Sequence, residues 1–211
     1  KPFSRKHVCP TSKLEYYYFN HFNSDIFKDT ELPYFITTEN KYLARYISTI
    51  SAYRSLSEQS LLSIWEKSKY CFSAFLEKRN ETKYLKTSPC GTFNTYSNFR
   101  TSLVEPILRN PEAQVQGKGW KNDQARQMLP DWHADKLARV SKKSKFLLAV
   151  ENVNAPSYIT EKYFDALASL SIPVTVECQS KEIEKYMELE SDNIIAIKSS
   201  PSKCSTLIFV I

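Results

Sequence analysis

The residues of this chain best placed to do chemistry fall between Lys145 and Val174, in the run KFLLAVENVNAPSYITEKYFDALASLSIPV. KFLLAV is a continuous apolar stretch, which predicts a strand buried on both faces. The strand ends in Glu151 and Asn152, a polar loop containing Pro156 follows, and Thr160 stands where it would N-cap the helix ITEKYFDALASL. In the first turn of that helix Glu161 is favoured by the dipole, whereas Lys162 is electrostatically misplaced. Lys162 therefore calls for an anionic partner, and a phosphate held at the helix N-terminus is one candidate. A solvated helix lysine is the plainer alternative.

Composition narrows what that anion-binding chemistry can be. Only three glycines occur in 211 residues, where average usage would supply roughly fifteen. A GxxxxGK[ST] loop and a GxGxxG turn are both absent, so a nucleotide would be held another way. No Asp-x-Asp motif is present to carry a metal-bridged diphosphate. Five cysteines, Cys9, Cys71, Cys90, Cys178 and Cys204, form no CxxC pair, and with only three histidines they do not compose a zinc site. The odd cysteine count argues against a closed disulfide framework but leaves open a Cys71–Cys90 bridge. The net charge of +6 is scattered among acids rather than gathered into a stripe, and no nucleic-acid-binding signature accompanies it. No run of about eighteen apolar residues occurs. The chain begins at Lys1 and stops on the apolar TLIFVI, so both ends read as cuts from a longer chain.

The elements that must position these residues follow from periodicity. LPYFIT (32–37) predicts a short strand, and residues 41–67 carry helical periodicity. KYCFSAFL predicts a strand, residues 77–98 a long surface loop holding the sequon Asn80-Glu81-Thr82, and NFRTSLVEPIL a helix. AQVQGKG predicts a strand running into a turn, 131–141 a helix, IPVTVE a strand, KEIEKYMELE a helix and NIIAIK a strand, while 205–211 could begin either element. Strand and helix alternate at βαβ spacing, which predicts an α/β fold with a parallel sheet flanked by helices. Ligands in such sheets bind at the carboxyl ends of the strands, here the loops after Val150 and around Gly117.

The 145–174 segment resembles the donor-binding signature of the α1,3/4-fucosyltransferases, glycosyltransferase family 10, approximately KFxLxFEN…Y(V/T)TEKxxxAxxxxxxPV. The matching positions are Lys145, Phe146, Leu148, Glu151, Asn152, Tyr158, Thr160, Glu161, Lys162, Ala166, Pro173 and Val174, with Val150 where Phe is usual. NFRTSLVEPIL resembles the family stretch that opens with a phosphate-binding Arg, which makes Arg100 the match and Arg79 its rival. ITTEN (36–40) resembles the family's TGEN motif, with Thr38 in place of its glycine and Glu39 at the proposed catalytic base. The resemblance spans roughly residues 30–205.

It implies a GT-B-like architecture: a Rossmann-type C-terminal donor domain at 67–211, with a loop insertion at 77–98, and a short or truncated N-terminal acceptor domain at 1–66. It also implies inverting transfer of L-fucose from GDP-fucose to a hydroxyl of an acceptor oligosaccharide or glycoprotein glycan. Glu39 would take the acceptor proton, Arg100 and Lys162 would meet the leaving diphosphate, Glu161 the ribose, Tyr158 the nucleotide, and Glu151 and Asn152 would shape the site. The family pattern is metal-independent and needs no cofactor, although divalent cations stimulate some relatives. Eukaryotic relatives are Golgi-lumenal on a membrane anchor, which a fragment would have lost, and bacterial ones are cytoplasmic or membrane-associated. The rival expectations are a catalytically impaired relative serving as a nucleotide-sugar-binding or interaction module, and a transferase of another sugar nucleotide on the same fold.

Overall fold

The computed structural model describes residues 40–79, 94–120, 128–154 and 158–176, together with the backbone of strands at 5–8, 15–18, 194–198 and 206–210. The predicted strand 32–37, the predicted helix KEIEKYMELE and Glu39 lie outside the described residues.

At the N-terminal end, β1 (Arg5–Val8) pairs antiparallel with β2 (Glu15–Tyr18). A 3-10 turn at Asn40–Tyr42 then leads into α1 (Leu43–Arg54), and α2 (Glu58–Glu66) follows. The single helix predicted over 41–67 is thus two. Ser57 has extended backbone geometry and its hydroxyl accepts the Ser60 N–H, so the serine caps a new helix instead of continuing the old one.

The remaining elements are β3 (Tyr70–Phe75), β4 (Asn94–Thr95), α3 (Ser97–Ile107), β5 (Ala113–Gln116), α4 (Trp132–Val140), β6 (Ser144–Leu148), β7 (Val153–Asn154), α5 (Glu161–Ala168), β8 (Ile172–Val176), β9 (Ile194–Lys198) and β10 (Thr206–Val210). Of the predicted loop 77–98, residues 94–95 are strand and 97–98 open α3, whereas 80–93 lie outside the described residues.

The main sheet has the order β5-β3-β6-β8-β10-β9. Its first four strands are parallel, with Phe72 opposite both Ala113 and Phe146, and Phe146 opposite Ile172. The sheet is not parallel throughout: β10 runs antiparallel to both of its neighbours, β8 and β9. Among the described residues no helix is long and apolar enough to cross a membrane.

Alternation along the central strands supplies two apolar faces. Phe72, Ala74, Leu148, Val150, Val174 and Val176 form one core with Val104 of α3, and Phe99, Leu103 and Ile107 of the same helix pack onto it. Leu147 points the other way, against Val140 of α4 and Ala166 of α5. Helices therefore cover both faces, which is the condition for a parallel sheet. Tyr42 and Tyr46 of the 3-10 turn and α1 pack with Ala168, Leu137 and Phe164 of α4 and α5, which joins the N-terminal segment to the sheet domain.

Candidate functional site

The loops at the carboxyl ends of β3 and β6 meet the N-terminus of α3 around a polar pocket of about 100 Å³, lined by Glu77, Arg79, Ser97, Arg100 and Asn152. Three backbone arrangements build it. The turn after β5 is zipped to the segment after β3, with the Leu76 N–H donating to the Gln116 carbonyl at 3.0 Å and the Lys78 N–H to the Lys118 carbonyl at 2.9 Å. Gly117 makes this approach possible: at φ +132 a Cβ would stand 2.1 Å from the Leu76 carbonyl oxygen. On the other side β4 pairs with β7, and the Tyr96 N–H donates to the Asn152 carbonyl at 2.8 Å, which seats the first turn of α3 against the loop after β6.

Arg100 is the central side chain of this pocket. It is only 7% exposed. One terminal nitrogen donates to Asn152 Oδ1, while its Nε is buried with no partner. Burial pulls its pKa down from the ordinary value, opposed by the carboxylates of Glu151 and Glu161. Leaving a buried charged donor unmade is costly, so the free Nε marks a position where an acceptor would be favoured. Arg79, the predicted rival, lines the same pocket rather than a different one. Its guanidinium pairs with Glu77 Oε2 at 2.8 Å, and its backbone N–H donates to the Thr101 hydroxyl at 2.9 Å.

The second half of the site is the strand-to-helix junction at α5. Thr160 occupies the N-cap position, but its hydroxyl makes no cap bond, contrary to the expectation from sequence. Glu151 takes over from beyond the end of β6: its Oε1 accepts the Thr160 N–H at 2.7 Å, and the Thr160 hydroxyl lies 2.8 Å from each of its oxygens. A carboxylate reaching back from a strand satisfies an amide that the local side chain leaves open, and adds negative charge where the helix dipole favours it.

Lys162 finds anions within the chain. Its Nζ lies 3.0 Å from Glu151 Oε2 and 3.2 Å from Glu161 Oε1, and it donates to the Thr160 hydroxyl oxygen at 2.7 Å. Burial works against the ammonium, but the two carboxylates outweigh it and raise its pKa. For Glu161, burial is likewise overcome by the cations of Lys162 and Lys136, and its pKa is lowered. Tyr158, half-buried, interacts electrostatically with Arg100.

The structure thus brings Arg100, Glu151, Asn152, Tyr158, Glu161 and Lys162 into one charged neighbourhood, and Glu39 lies outside the described residues. Sequence reasoning missed the contributions of Glu77 and Ser97, for which no signal existed, and the partnership of Arg79 with Arg100. Cys71 is a free thiol, and Cys90 lies outside the described residues. Among the described residues no group of three His, Cys, Asp or Glu side chains could hold a metal ion.

Residues 76–203, which include every pocket and junction residue named above, match the family model for the C-terminal domain of glycosyltransferase family 10, the fucosyltransferases. The chain belongs to glycosyltransferase family 10. A fucosyltransferase-like protein of Arabidopsis thaliana is 33% identical over 113 residues, which is 53% of this chain and 19% of that relative. The chain therefore spans about a fifth of the length of the curated relative it matches. No solved structure gives a significant match. Within this family 10 domain, the pocket and the α5 junction lie beyond the carboxyl ends of the parallel strands, the region where ligands of such sheets bind.

Proposed function

We propose that this family 10 chain is the donor-binding part of an inverting fucosyltransferase, which moves L-fucose from GDP-fucose to a hydroxyl of an acceptor glycan. The observation that carries the proposal is Arg100, a buried arginine with an unpartnered Nε on the wall of a small polar pocket beside the α3 N-terminus. A pocket of about 100 Å³ has room for a phosphate group and not for a whole nucleotide sugar, since drug-sized ligands occupy roughly 300–1,000 Å³. The phosphate would enter the pocket, and the nucleoside would lie outside it, toward Glu161 and Tyr158.

In the reaction, the bond between the fucose anomeric carbon and the diphosphate oxygen breaks as the acceptor oxygen forms the new glycosidic bond. The acceptor proton passes to Glu39, and the electron pair leaves with GDP. Arg100 and Lys162 would stabilise that developing negative charge, with no resident metal or cofactor required. Lys162 reaches the diphosphate by exchanging its contacts with Glu151 and Glu161 for phosphate oxygens.

The seal of carboxylates around Lys162 favours the second reading, a relative that binds nucleotide sugar without turning it over. Transfer of labelled fucose from GDP-fucose to an N-acetyllactosamine acceptor, with matching GDP release, establishes the transferase. GDP binding with no transfer gives the second reading, and no GDP binding overturns both. Glu39→Gln should lower turnover with GDP affinity nearly unchanged, and full activity in that variant removes Glu39 from the role of base.

A further inference from the structure

Apart from the pocket and the α5 junction, a buried polar cluster is built on Asp165 of α5, which is fully buried. Its Oδ1 accepts the Tyr46 hydroxyl of α1 at 2.6 Å and lies 2.7 Å from His133 Nε2. Its Oδ2 accepts Lys136 Nζ of α4 at 2.7 Å, and Lys136 is itself only 5% exposed. Tyr46 and His133 are also buried, with the hydroxyl 2.6 Å from the imidazole Nε2. Donors from two other helices thus converge on one carboxylate of α5.

A buried ion pair adds little to stability compared with well-packed apolar side chains, because desolvation cancels most of the attraction. What it adds here is a fixed setting for a helix. Turning α5 by one residue, about 100°, would carry the carboxylate away from all three donors at once. Glu161 lies one turn before Asp165 on the same face of the helix, and Lys162 is its neighbour. The Lys136 cation acts on Glu161 as well as on Asp165. Tyr46 lies before the 76–203 span that matches the family model, so this unit draws on residues outside that span.

We propose that Tyr46, Lys136 and Asp165 are positioning residues for the first turn of α5, setting the affinity of Glu161 and Lys162 for an anionic nucleotide without touching it. The nucleotide part rests on the donor-binding function proposed above. The setting of the helix does not.

The test uses the full chain and three variants: Tyr46→Phe, Lys136→Met and Lys136→Arg. GDP affinity is read by titration calorimetry, and amide hydrogen exchange is followed across 161–168. Tyr46→Phe should weaken GDP binding by about fivefold and speed exchange in α5. Lys136→Arg should restore most of what Lys136→Met loses in both readouts. If Tyr46→Phe lowers Tm but leaves both GDP affinity and α5 exchange at wild-type values, the cluster only holds the fold together and the proposal is overturned. If Lys136→Met does not fold, Tyr46→Phe still decides. If the wild type binds no GDP, the donor reading fails, and α5 exchange alone judges the positioning: faster in Tyr46→Phe upholds it, unchanged overturns it.

Discussion

Glu151, three residues past the end of β6, and Lys162, in the first turn of α5, are joined by a 3.0 Å ion pair that spans the connection between strand and helix. The same carboxylate holds the Thr160 amide, so a single side chain both starts the helix and restrains its cation.

Removing that carboxylate should therefore destabilise the domain more than removing the lysine. Glu151→Ala leaves the Thr160 amide and one side of Lys162 unmet, and should cost about 2–4 kcal/mol in urea unfolding. Glu151→Gln keeps an oxygen for the amide and should cost roughly half as much. Lys162→Ala should affect stability less but weaken GDP binding about tenfold or more in calorimetry.

Arg100 and Arg79 line one pocket but differ in burial, and GDP titrations of the two alanine variants should separate them. Arg100→Ala should weaken binding by about 10–100-fold, the worth of a buried charge-assisted hydrogen bond. Arg79→Ala removes a more exposed guanidinium already paired with Glu77, and should weaken binding by only about two- to fivefold, an effect that added salt erases. Arg100→Lys should not restore wild-type affinity, because an ammonium does not reproduce the guanidinium fork.

The pH dependence of stability has a definite sign at each end. Burial pushes the Tyr163 phenol up to about 12, against about 10 in an unfolded chain. A raised folded value means its contribution is complete below pH about 10 and is lost as pH climbs toward 12. Lys162, also raised, acts in the same direction. Thermal melts from pH 8 to 11.5 should show a decline that is shallower in Tyr163→Phe. At the acid end, burial of Asp165 is outweighed by Lys136 and His133, and its pKa is lowered. Its contribution should hold above pH about 4 and be lost as pH falls through the depressed folded value.

Gly117→Ala tests the close approach of the turn after β5 to the segment after β3, which carries Arg79. A Cβ there would meet the Leu76 carbonyl oxygen at 2.1 Å, in a backbone conformation that L residues avoid. The variant should lose about 2–3 kcal/mol in urea unfolding and weaken GDP binding with it. Gly119→Ala, at φ +90 and with its nearest approach 3.1 Å from Lys78 Cβ, should lose less.

The elements with strong periodicity were legible in the sequence. KFLLAV, ITEKYFDALASL and IPVTVE fall within two residues of β6, α5 and β8, because their apolar faces are buried against one another. The helix over 41–67 was not legible as two, since a serine in midstream gives no sign of whether it will cap or continue. Nor was the antiparallel setting of β10, which depends on the neighbour a strand meets and not on its own residues. In the site, Lys162 was legible because a lysine in a first turn is out of place. The capping role of Glu151 was not, as it requires the distance between a strand end and a helix start to be known in three dimensions. The Asp165 cluster was silent for the same reason: Tyr46, His133, Lys136 and Asp165 are scattered over 119 sequence positions.

The two-residue pairing of β4 with β7 has a consequence for engineering. Arg79 is tied to Thr101 on one side, and Asn94 is paired with Asn154 on the other. The chain thus leaves the described pocket wall at Arg79 and rejoins it at Asn94. Lengthening the connection between them costs only about 0.6 kcal/mol of closure entropy per doubling. An affinity tag or a fluorescent reporter inserted between those two positions therefore tests whether these two ties suffice to hold the pocket, with unchanged GDP affinity as the expected result.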